Sequence, residues 1–372
     1  MALVVFEGFD HYRTQADLQA RVGALEWSDI YGGPVEFVAG RGGYGYAAAM
    51  PGTSGGYSWL GGSFNANYAT AIAAIALQAQ PVNLLYLDFM VMDYSSPAPN
   101  GSPAGSSGFA QLTFRTFPAS GTVLVYQGDP AVTGYSTAPI YSTAPNAFSP
   151  YIWNKFEAKV TIATSGSFDF HVNGNSIASM TGVATNTSGN NWFNGLRCRA
   201  GYQGAAGSYA FYIDDFNLND TTTGAGTYPL NNFIGDCATR TVFTTGNSSV
   251  SWTPLTGTNW QEVGETQFDR DTSYNHATTV GNTDLFTFGS LPTTTSVVFG
   301  VQLTGAYRKL DASAQTIVQV FSSGGTVVNG SAWTMSLDWA FYTDLLVLDP
   351  HTTATWTPTA VDALLGGYKL NS

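Results

Sequence analysis

Two carboxylates on one face of a strand can act as nucleophile and general acid/base in sugar hydrolysis, so the acidic residues are the first to weigh for chemistry. Side chains two residues apart on a strand share a face, and the spacing required is therefore Glu-x-Asp or Glu-x-Glu. The chain has six Glu, and none stands two residues before another acid. Asp214 and Asp215 are adjacent, which places them on opposite faces of a regular strand. The sequence therefore predicts that the protein is not an enzyme.

The segment Asp269–Asn275 has Asp, Asp, Ser and Asn at alternate positions, and calcium loops use such oxygen-bearing side chains as ligands. It is not an EF-hand, because Tyr274 replaces the required Gly and Val280 replaces the terminal Glu. The same residues suit a turn whose side chains accept hydrogen bonds from backbone amides. We expect this turn and no bound cofactor or metal, with calcium at Asp269 and Asp271 as the alternative.

Aromatic residues near Gly-rich and Asn-rich loops are candidates for sugar binding, because the face of an aromatic ring stacks on a sugar ring. Trp59, Trp192 and Tyr202 have such neighbours and could form a carbohydrate-binding platform. The alternative is that they pack internally or contact another subunit. Five further tryptophans are expected to fill the protein core: Trp153, Trp252, Trp333, Trp339 and Trp356.

The remaining reactive residues are not accompanied, at the required spacing, by the residues that catalysis or ligand binding would need. The loop Gly40–Gly45 has no Lys-Ser/Thr ending, so we expect a tight turn and not a phosphate-binding loop. Cys198 and Cys237 are expected to stay free thiols, as in a chain that folds in a reducing cytoplasm. The four histidines stand alone, and a core or surface position is expected for each: His11, His171, His276 and His351.

The composition limits the classes of partner and of fold. The net charge of −12 disfavours binding to nucleic acid, which attracts basic surfaces, and to anionic membranes. The longest apolar stretch, Tyr68–Val91, is interrupted by Pro81, Asn83 and Asp88, so no membrane insertion is expected. Charged residues make up only 10% of the chain, with four Lys and six Glu. Because helix surfaces are usually rich in these residues, the composition disfavours a helical protein.

Short alternating apolar runs between turn residues predict an antiparallel all-β protein. Phe156–Ile162 and Phe168–Val172 alternate, and Asn173-Gly174 is a strong hairpin signal because both residues tolerate positive φ. Tyr209–Leu218 predicts another strand. Tyr68–Gln80 is rich in Ala and is compatible with a helix, but its strand-rich surroundings favour a buried strand. Strands are also predicted in the second half, at Ser296–Leu303, Gln315–Phe321, Thr334–Tyr342 and around Lys369.

Helix signals are confined to two places. Thr14–Leu25 has helical spacing with Thr14 as a possible N-cap and Asp17 at the third helical position. Pro358–Leu365 begins with Pro and is followed by Gly366-Gly367, which predicts a short helix with a glycine stop.

A run of Thr and Gly divides the chain. Residues 221–227 are predicted to link two β-sandwich domains of the jelly-roll type, the first over 1–220 and the second over 228–372, ending in the short helix. Ser95–Gly108 is predicted to be an exposed loop within the first domain.

Several of these segments resemble a known family. Trp153 followed by Val172-Asn173-Gly174, and the strand Tyr212–Phe216, resemble concanavalin A-like, laminin G-type lectin domains. The segments Phe6–Tyr12 and Gly40–Gly43 resemble a narrower group, the bacteriophage virion proteins that carry such a domain at the N-terminus. Five pieces of the second half resemble the β-domain that follows in that group: Asn232–Asp236, Asp269–Tyr274, Leu348–Pro350, Trp356-Thr357 and Val361–Leu364.

The resemblance implies a non-enzymatic structural component on the exterior of a bacteriophage particle, in a tail, a fibre or a head spike. Such a protein would be made in the host cytoplasm, form a homo-oligomer, with a trimer favoured, and contact other virion proteins and a host-surface glycan. It also implies a possible calcium position at Asp214 and Asp215, since laminin G-type domains often hold calcium at a rim site. The alternatives are a stand-alone carbohydrate-binding lectin module and a polysaccharide-degrading enzyme.

Overall fold

The described part of the chain is almost entirely β-structure. A computed structural model describes residues 3–52, 56–80, 84–102, 105–132, 138–149, 151–202, 209–221 and 232–372. Within them, two short helices, α1 (Gln15–Gln19) and α2 (Pro358–Asp362), and two 3₁₀ turns, Arg41–Gly43 and Gln261–Val263, accompany the strands. The predicted all-β class is confirmed.

The strands, in chain order, are β1 (Leu3–Glu7), β2 (Arg21–Val22), β3 (Leu25–Tyr31), β4 (Glu36–Ala39), β5 (Tyr46–Pro51), β6 (Tyr57–Tyr68), β7 (Thr70–Ala79), β8 (Leu84–Asp93), β9 (Phe109–Phe117), β10 (Thr122–Gln127), β11 (Tyr141–Ser142), β12 (Asn154–Thr161), β13 (Gly166–Val172), β14 (Asn175–Val183), β15 (Phe193–Tyr202), β16 (Tyr209–Asp220), β17 (Thr244–Ser249), β18 (Thr253–Pro254), β19 (Asn275–His276), β20 (Thr283–Phe288), β21 (Val301–Tyr307), β22 (Thr316–Ser323), β23 (Thr326–Thr334), β24 (Ala340–Leu346) and β25 (Leu365–Leu370).

The chain divides into two compact units, and their limits differ from the predicted ones. The first unit comprises residues 1–9 and 24–239, and the second comprises 10–23 and 240–372. Most of the predicted linker, 222–227, lies outside the described residues. Residues 10–23 belong to the second unit because β2 pairs in parallel with β24, Arg21 opposite Phe341 and Val22 opposite Tyr342. A two-residue strand has no periodicity, so this pairing cannot be predicted from a local sequence pattern.

The first unit is a jelly-roll β-sandwich of two antiparallel sheets. One sheet has the order β14-β13-β12-β7-β16-β5-β4, with β1 also paired to β16, and the other has the order β11-β10-β9-β8-β15-β6-β3. Aromatic rings from the two sheets meet between them: Phe114 stacks on Phe170 at 4.6 Å, and Phe64 lies 6.2 Å from Phe216. Because one face of each sheet packs in this core, the side chains that alternate with it lie on the outer faces.

Several predicted elements of the first unit are confirmed. The predicted strand Tyr68–Gln80 is β7 over Thr70–Ala79, and Tyr68 ends the preceding strand, β6. Asn173 and Gly174 have φ of 51° and 80° and join β13 to β14 in the predicted hairpin. The loop at Gly40–Gly45 is a tight turn, with the Gly40 amide bonded to the Gly45 carbonyl at 3.0 Å.

The N-terminal helix is shorter than predicted. The hydroxyl of Thr14 accepts a hydrogen bond from the Asp17 amide, and the Asp17 carboxylate accepts one from the Thr14 amide. This capping box begins α1 as expected, but α1 ends at Gln19 and not at Leu25. The reason is tertiary: the residues that would continue the helix enter β2.

The second unit has a five-stranded sheet in the order β17-β20-β25-β22-β23, a three-stranded sheet in the order β2-β24-β21, and the pair β18-β19. The buried apolar residues described in this unit include two clusters. One contains Phe286, Ile317, Met335, Tyr368 and Leu370, and the other contains Phe321, Trp356 and Leu364.

Three predictions for the second half need correction. The run Thr334–Tyr342 is not one strand, because β23 ends at Thr334 and β24 begins at Ala340. Between them the Ser336 hydroxyl bonds to the Asp338 carbonyl, and such local bonds favour a turn over a strand. The predicted strand Ser296–Leu303 lies later, as β21.

The second unit also does not end in a helix. Helix α2 begins at Pro358 as predicted, with Thr357 as its N-cap, but stops at Asp362 and is followed by β25. Gly367 is therefore a strand residue and not a helix stop. A Cβ there would lie 1.9 Å from the Asp284 carbonyl oxygen, so the close approach of β20 requires glycine.

Candidate functional site

The sheet β11-β10-β9-β8-β15-β6-β3 has seven strands, whereas the other sheet has eight because β1 joins it. The outer face of the seven-stranded sheet carries three buried arginines, Arg115, Arg197 and Arg199, and is called here the arginine face. Arg199 on β15 lies opposite Asp88 on β8, which in turn lies opposite Arg115 on β9. The residue between the two arginines of β15 is Cys198, which points to the opposite face, as strand alternation requires. Cys198 and Cys237 are both free thiols.

Every arginine on this face is paired with a carboxylate. Asp88 accepts two hydrogen bonds from Arg115, at 2.7 and 2.9 Å, and two from Arg199, at 2.6 and 3.0 Å. Arg199 also bonds to both oxygens of Asp129, at 2.6 and 2.7 Å. The side chains of Arg199 and Asp88 are fully buried, and that of Arg115 is 10% exposed. The carboxylates are thus fully engaged as counter-ions.

The third pair lies beside these two. The Arg197 guanidinium donates to Asp29 Oδ2 at 2.7 Å, and the Trp59 indole donates to Asp29 Oδ1 at 2.8 Å. The Tyr94 hydroxyl also bonds to Asp29 Oδ2, at 2.8 Å. Three arginines and three aspartates therefore balance in charge on the arginine face.

The ion pairs shift the titration of their members. Burial alone would lower the pKa of Arg199, but the carboxylates of Asp88 and Asp129 raise it above its usual value. Burial likewise opposes ionisation of Asp129, yet the Arg199 guanidinium lowers the pKa of this carboxyl. Burial raises the pKa of Tyr86, and the Asp88 carboxylate adds to the shift. These groups keep their charge states around neutral pH, and none is poised for proton transfer.

A layer of aromatic rings covers the arginines. The Arg115 guanidinium lies 3.6 Å from the centre of the Tyr86 ring, and Arg199 lies 5.3 Å from that of Tyr57. Cation–π attraction of this kind holds the rings in place. Glycine in β15 makes room for them: a Cβ at Gly201 would lie 2.4 Å from the Tyr86 ring, and one at Gly195 would lie 2.4 Å from the Tyr94 ring.

Trp59, a predicted sugar-binding residue, is completely buried and cannot present its ring to a ligand. Tyr31 stacks on it at 4.3 Å and is itself 38% exposed. The prediction that Trp59 binds sugar is therefore wrong. Trp59 lies within β6, where the Tyr31 ring covers it, whereas Tyr31 ends the edge strand β3 and faces solvent. The solvent-facing ring next to the predicted position is therefore Tyr31, with Tyr57 and Tyr86 half-buried beside the arginines.

The other two residues predicted for the sugar-binding platform are Trp192 and Tyr202. Trp192 is half-buried, and its carbonyl accepts a hydrogen bond from the Gln111 amide group at 3.0 Å. Tyr202 is the last residue of β15, and its side chain lies outside the described residues. Within the described ranges, no ring contact or hydrogen bond connects Trp192 with Trp59.

Asp214 and Asp215 do not lie on opposite faces, and both are buried. A bulge interrupts β16 between Asp214 and Asn217, and Asp215 has a φ of 50°. The bulge directs both carboxylates to Arg41: Asp214 accepts from its amide at 2.8 Å and Asp215 from its guanidinium at 3.0 Å. Asp215 also accepts from the Thr239 amide at 2.6 Å. This pair therefore anchors the Arg41 turn.

Asp269 forms the predicted turn in the second unit. Its carboxylate accepts from the Ser273 amide at 3.2 Å and from the Ser273 hydroxyl at 3.1 Å. Asp271 points elsewhere, to Arg308 at 2.6 Å and to the Trp339 indole at 3.1 Å. Over the described ranges, no group of three or more His, Cys, Asp or Glu side chains is arranged to hold a metal ion.

The arginine face was not predicted, although the sequence carries a signal for it. Asp88, Arg115, Arg197 and Arg199 each stand inside otherwise apolar strand segments. A charged residue within a buried strand requires a partner, and several such strands in one chain indicate a shared network. Separately, the described residues include no helix with the length and hydropathy required to span a membrane.

Comparisons with known proteins assign no family to this chain. No protein-family model and no curated protein matches the sequence. Among solved structures, the carbohydrate recognition domain of Emp46p is similar at 9% identity, covering 56% of this chain and 96% of that one, with a TM-score of 0.37.

Two similar structures come from phages. The CBM2 module of an evolved Dit from Lactobacillus casei BL23 phage J-1 is 10% identical, covers 59% of this chain and 95% of that one, and has a TM-score of 0.36. A conserved carbohydrate esterase from Shiga toxin-encoding bacteriophage phi24B is 16% identical, with 52% and 89% covered and a TM-score of 0.35. At these scores none of them assigns a function to this chain.

Proposed function

We propose that the chain is a non-enzymatic structural component on the exterior of a bacteriophage particle, and that the arginine face attaches the particle to carbohydrate on the host surface. The observation that carries the attachment role is the exposed ring of Tyr31, which stacks on Trp59 on the same sheet face as the half-buried rings of Tyr57 and Tyr86. Rings of this kind stack on sugar rings.

Binding without cleavage follows from the occupied carboxylates. A glycosidase needs one carboxyl that donates a proton and one that attacks or activates water. On the arginine face, Asp29, Asp88 and Asp129 are all held by arginines. An acid fixed as a counter-ion in this way is not available as a proton donor.

The place on a virion is supported by the sequence. Phe6–Tyr12 and Gly40–Gly43 resemble phage virion proteins, and a surface with few charges suits permanent protein contacts because few charges need desolvation. We further propose assembly in the host cytoplasm, a homo-oligomeric state, with a trimer favoured, and contacts with other virion proteins.

A glycan array of host-surface polysaccharides tests the attachment role. We expect the purified protein to bind a subset of glycans, and Tyr31→Ala to weaken binding at least tenfold. Tyr44→Ala is the matched control, because Tyr44 is 52% exposed but follows the turn that precedes β5 of the other sheet. Binding that persists in Tyr31→Ala and is lost in Tyr44→Ala would contradict the proposed face.

The same incubations separate the proposal from an enzyme. Reducing-end release from the bound polysaccharide should stay at the level of the buffer control. Steady release of reducing ends by the wild-type protein would favour the polysaccharide-degrading alternative.

A further inference from the structure

The outer face of the eight-stranded sheet buries a lysine beside a carboxamide, and this arrangement is independent of the arginine face. Lys155 on β12 and Asn217 on β16 are 0% and 3% exposed. The Lys155 ammonium nitrogen, Nζ, donates to Asn217 Oδ1 at 3.0 Å and also to the backbone carbonyl of Asp215. The nitrogen is thus held against the carboxamide group of Asn217.

The sheet register brings a carboxylate to the same place. Glu157 stands two residues after Lys155 on β12, so the two side chains share a face. Ala74 on β7 lies between Glu157 and Asn217, opposite both, and Ala76 lies opposite Lys155. The small alanine side chains leave space above β7 for the lysine chain to cross it.

Two atoms of this cluster have no hydrogen-bond partner, and a third, Lys155 Nζ, has no counter-ion. Glu157 is 0% exposed; its Oε1 accepts from the amides of Ile234 and Gly235, both at 3.0 Å, while Oε2 has no partner. Asn217 Nδ2 is also buried without a partner. Among the described residues, no carboxylate lies within ion-pair distance of Lys155 Nζ. A buried ammonium without a counter-ion and an unpaired buried carboxylate oxygen are both costly.

We propose that Lys155 and Asn217 condense into an intramolecular isopeptide bond, with Glu157 as the proton carrier. The product is a neutral amide, which removes the buried ammonium. The bond would join β12 to β16 across β7 and close a loop between positions that are 62 residues apart. Because the reaction needs burial and the sheet register, it follows folding.

The reaction balances without any added reagent. Glu157 Oε2 takes a proton from the Lys155 ammonium, and the resulting amine attacks Cγ of Asn217. The Nζ–Cγ bond forms and the Cγ–Nδ2 bond breaks. Of the three ammonium protons, one stays on the new amide and two leave with the departing NH₂ group, carried by Glu157, as an ammonium ion. Fixing the nitrogen beside the carbon replaces a bimolecular encounter by an intramolecular step.

Intact mass spectrometry of the folded, purified full chain tests the proposal. We expect its mass to be lower than that of the sequence by one ammonia. After trypsin digestion, a branched peptide should contain both Lys155 and Asn217, and cleavage after Lys155 should be absent. The branched peptide is needed to locate the loss of ammonia, because succinimide formation at an Asn-Gly pair also releases ammonia.

Variants separate the roles of the three residues. Glu157→Gln and Lys155→Met should each restore the full sequence mass, whereas Lys159→Met, on the same strand, should keep the loss of one ammonia. Asn217→Asp should change the loss from ammonia to water, because the leaving group becomes a hydroxyl. A folded wild-type protein with the full sequence mass and ordinary cleavage after Lys155 would overturn the proposal, whatever the variants do.

Discussion

At the scale of single residues, Asp88 is the carboxylate on which the arginine face depends, because it pairs with Arg115 and Arg199 together. Removing one partner of a buried ion pair leaves the other charge uncompensated and costs about 3–5 kcal/mol. We therefore expect Asp88→Asn to lower the free energy of unfolding by an amount in that range, measured by urea denaturation. The exposed Asp311→Asn is the control and should change it by less than about 0.5 kcal/mol. A loss in Asp88→Asn no larger than in the control would mean that the two arginines are not buried.

Glu265 should make the stability of the second unit depend on pH. Burial raises the pKa of Glu265 from 4.5 to about 7, and the nearby Asp269 carboxylate adds to the shift. A carboxyl with a raised pKa in the folded state contributes stability that is complete below about 4.5 and is lost as the pH rises through about 7.

The wild-type protein should therefore gain melting temperature relative to Glu265→Gln as the pH falls from about 8 to about 5. The difference between the two proteins is the quantity to measure by calorimetry, because all other titratable groups are common to both. A difference that stays constant over this range, or changes in the opposite direction, would contradict the burial of Glu265.

At the scale of elements, the glycines of β15 decide whether the aromatic layer can form. Alanine at position 201 would overlap the Tyr86 ring, with its Cβ 2.4 Å from ring carbons, and overpacking of this kind costs about 1–3 kcal/mol. We expect Gly201→Ala to destabilise the protein by that amount and to weaken glycan binding as well. Gly289→Ala is the control, since a Cβ there meets no atom closer than 4.0 Å. Equal stability of the two variants would mean that Tyr86 does not lie over Gly201.

The elements also show how far sequence reasoning reaches. Alternation and turn residues correctly predicted the β13–β14 hairpin, and Pro358 correctly predicted the start of α2, because these depend on local preferences. The composition of Tyr68–Gln80 also allowed a helix, and its strand-rich surroundings correctly predicted β7. Local patterns failed where a distant strand determines the structure: β2 pairs with β24, and Gly367 serves the approach of β20. They also failed at the candidate site. Trp59 is buried because Tyr31 of another strand stacks on it, and a local sequence pattern does not show such a contact.

At the scale of the whole molecule, the division into two units makes a prediction for the N-terminal region. Tyr12 is fully buried, and its ring lies 5.2 Å from that of Phe341, so it belongs to the core of the second unit. Replacing a buried aromatic side chain by alanine costs about 3–5 kcal/mol. In Tyr12→Ala, hydrogen exchange should therefore accelerate in β24 and stay unchanged in β7. Acceleration in β7 alone would instead place residues 10–23 with the first unit, as the sequence-based limits 1–220 had it.

At the same scale, we propose that the whole molecule works on the outside of a phage particle, bound to its neighbours and facing the host. The direct measurement is electron cryomicroscopy of purified particles whose genome encodes this chain, together with peptide mass spectrometry of the same particles. We expect peptides of the chain in the particles, and density for both β-units in symmetric copies on the exterior surface. Intact, infectious particles that contain no peptide of this chain would contradict it.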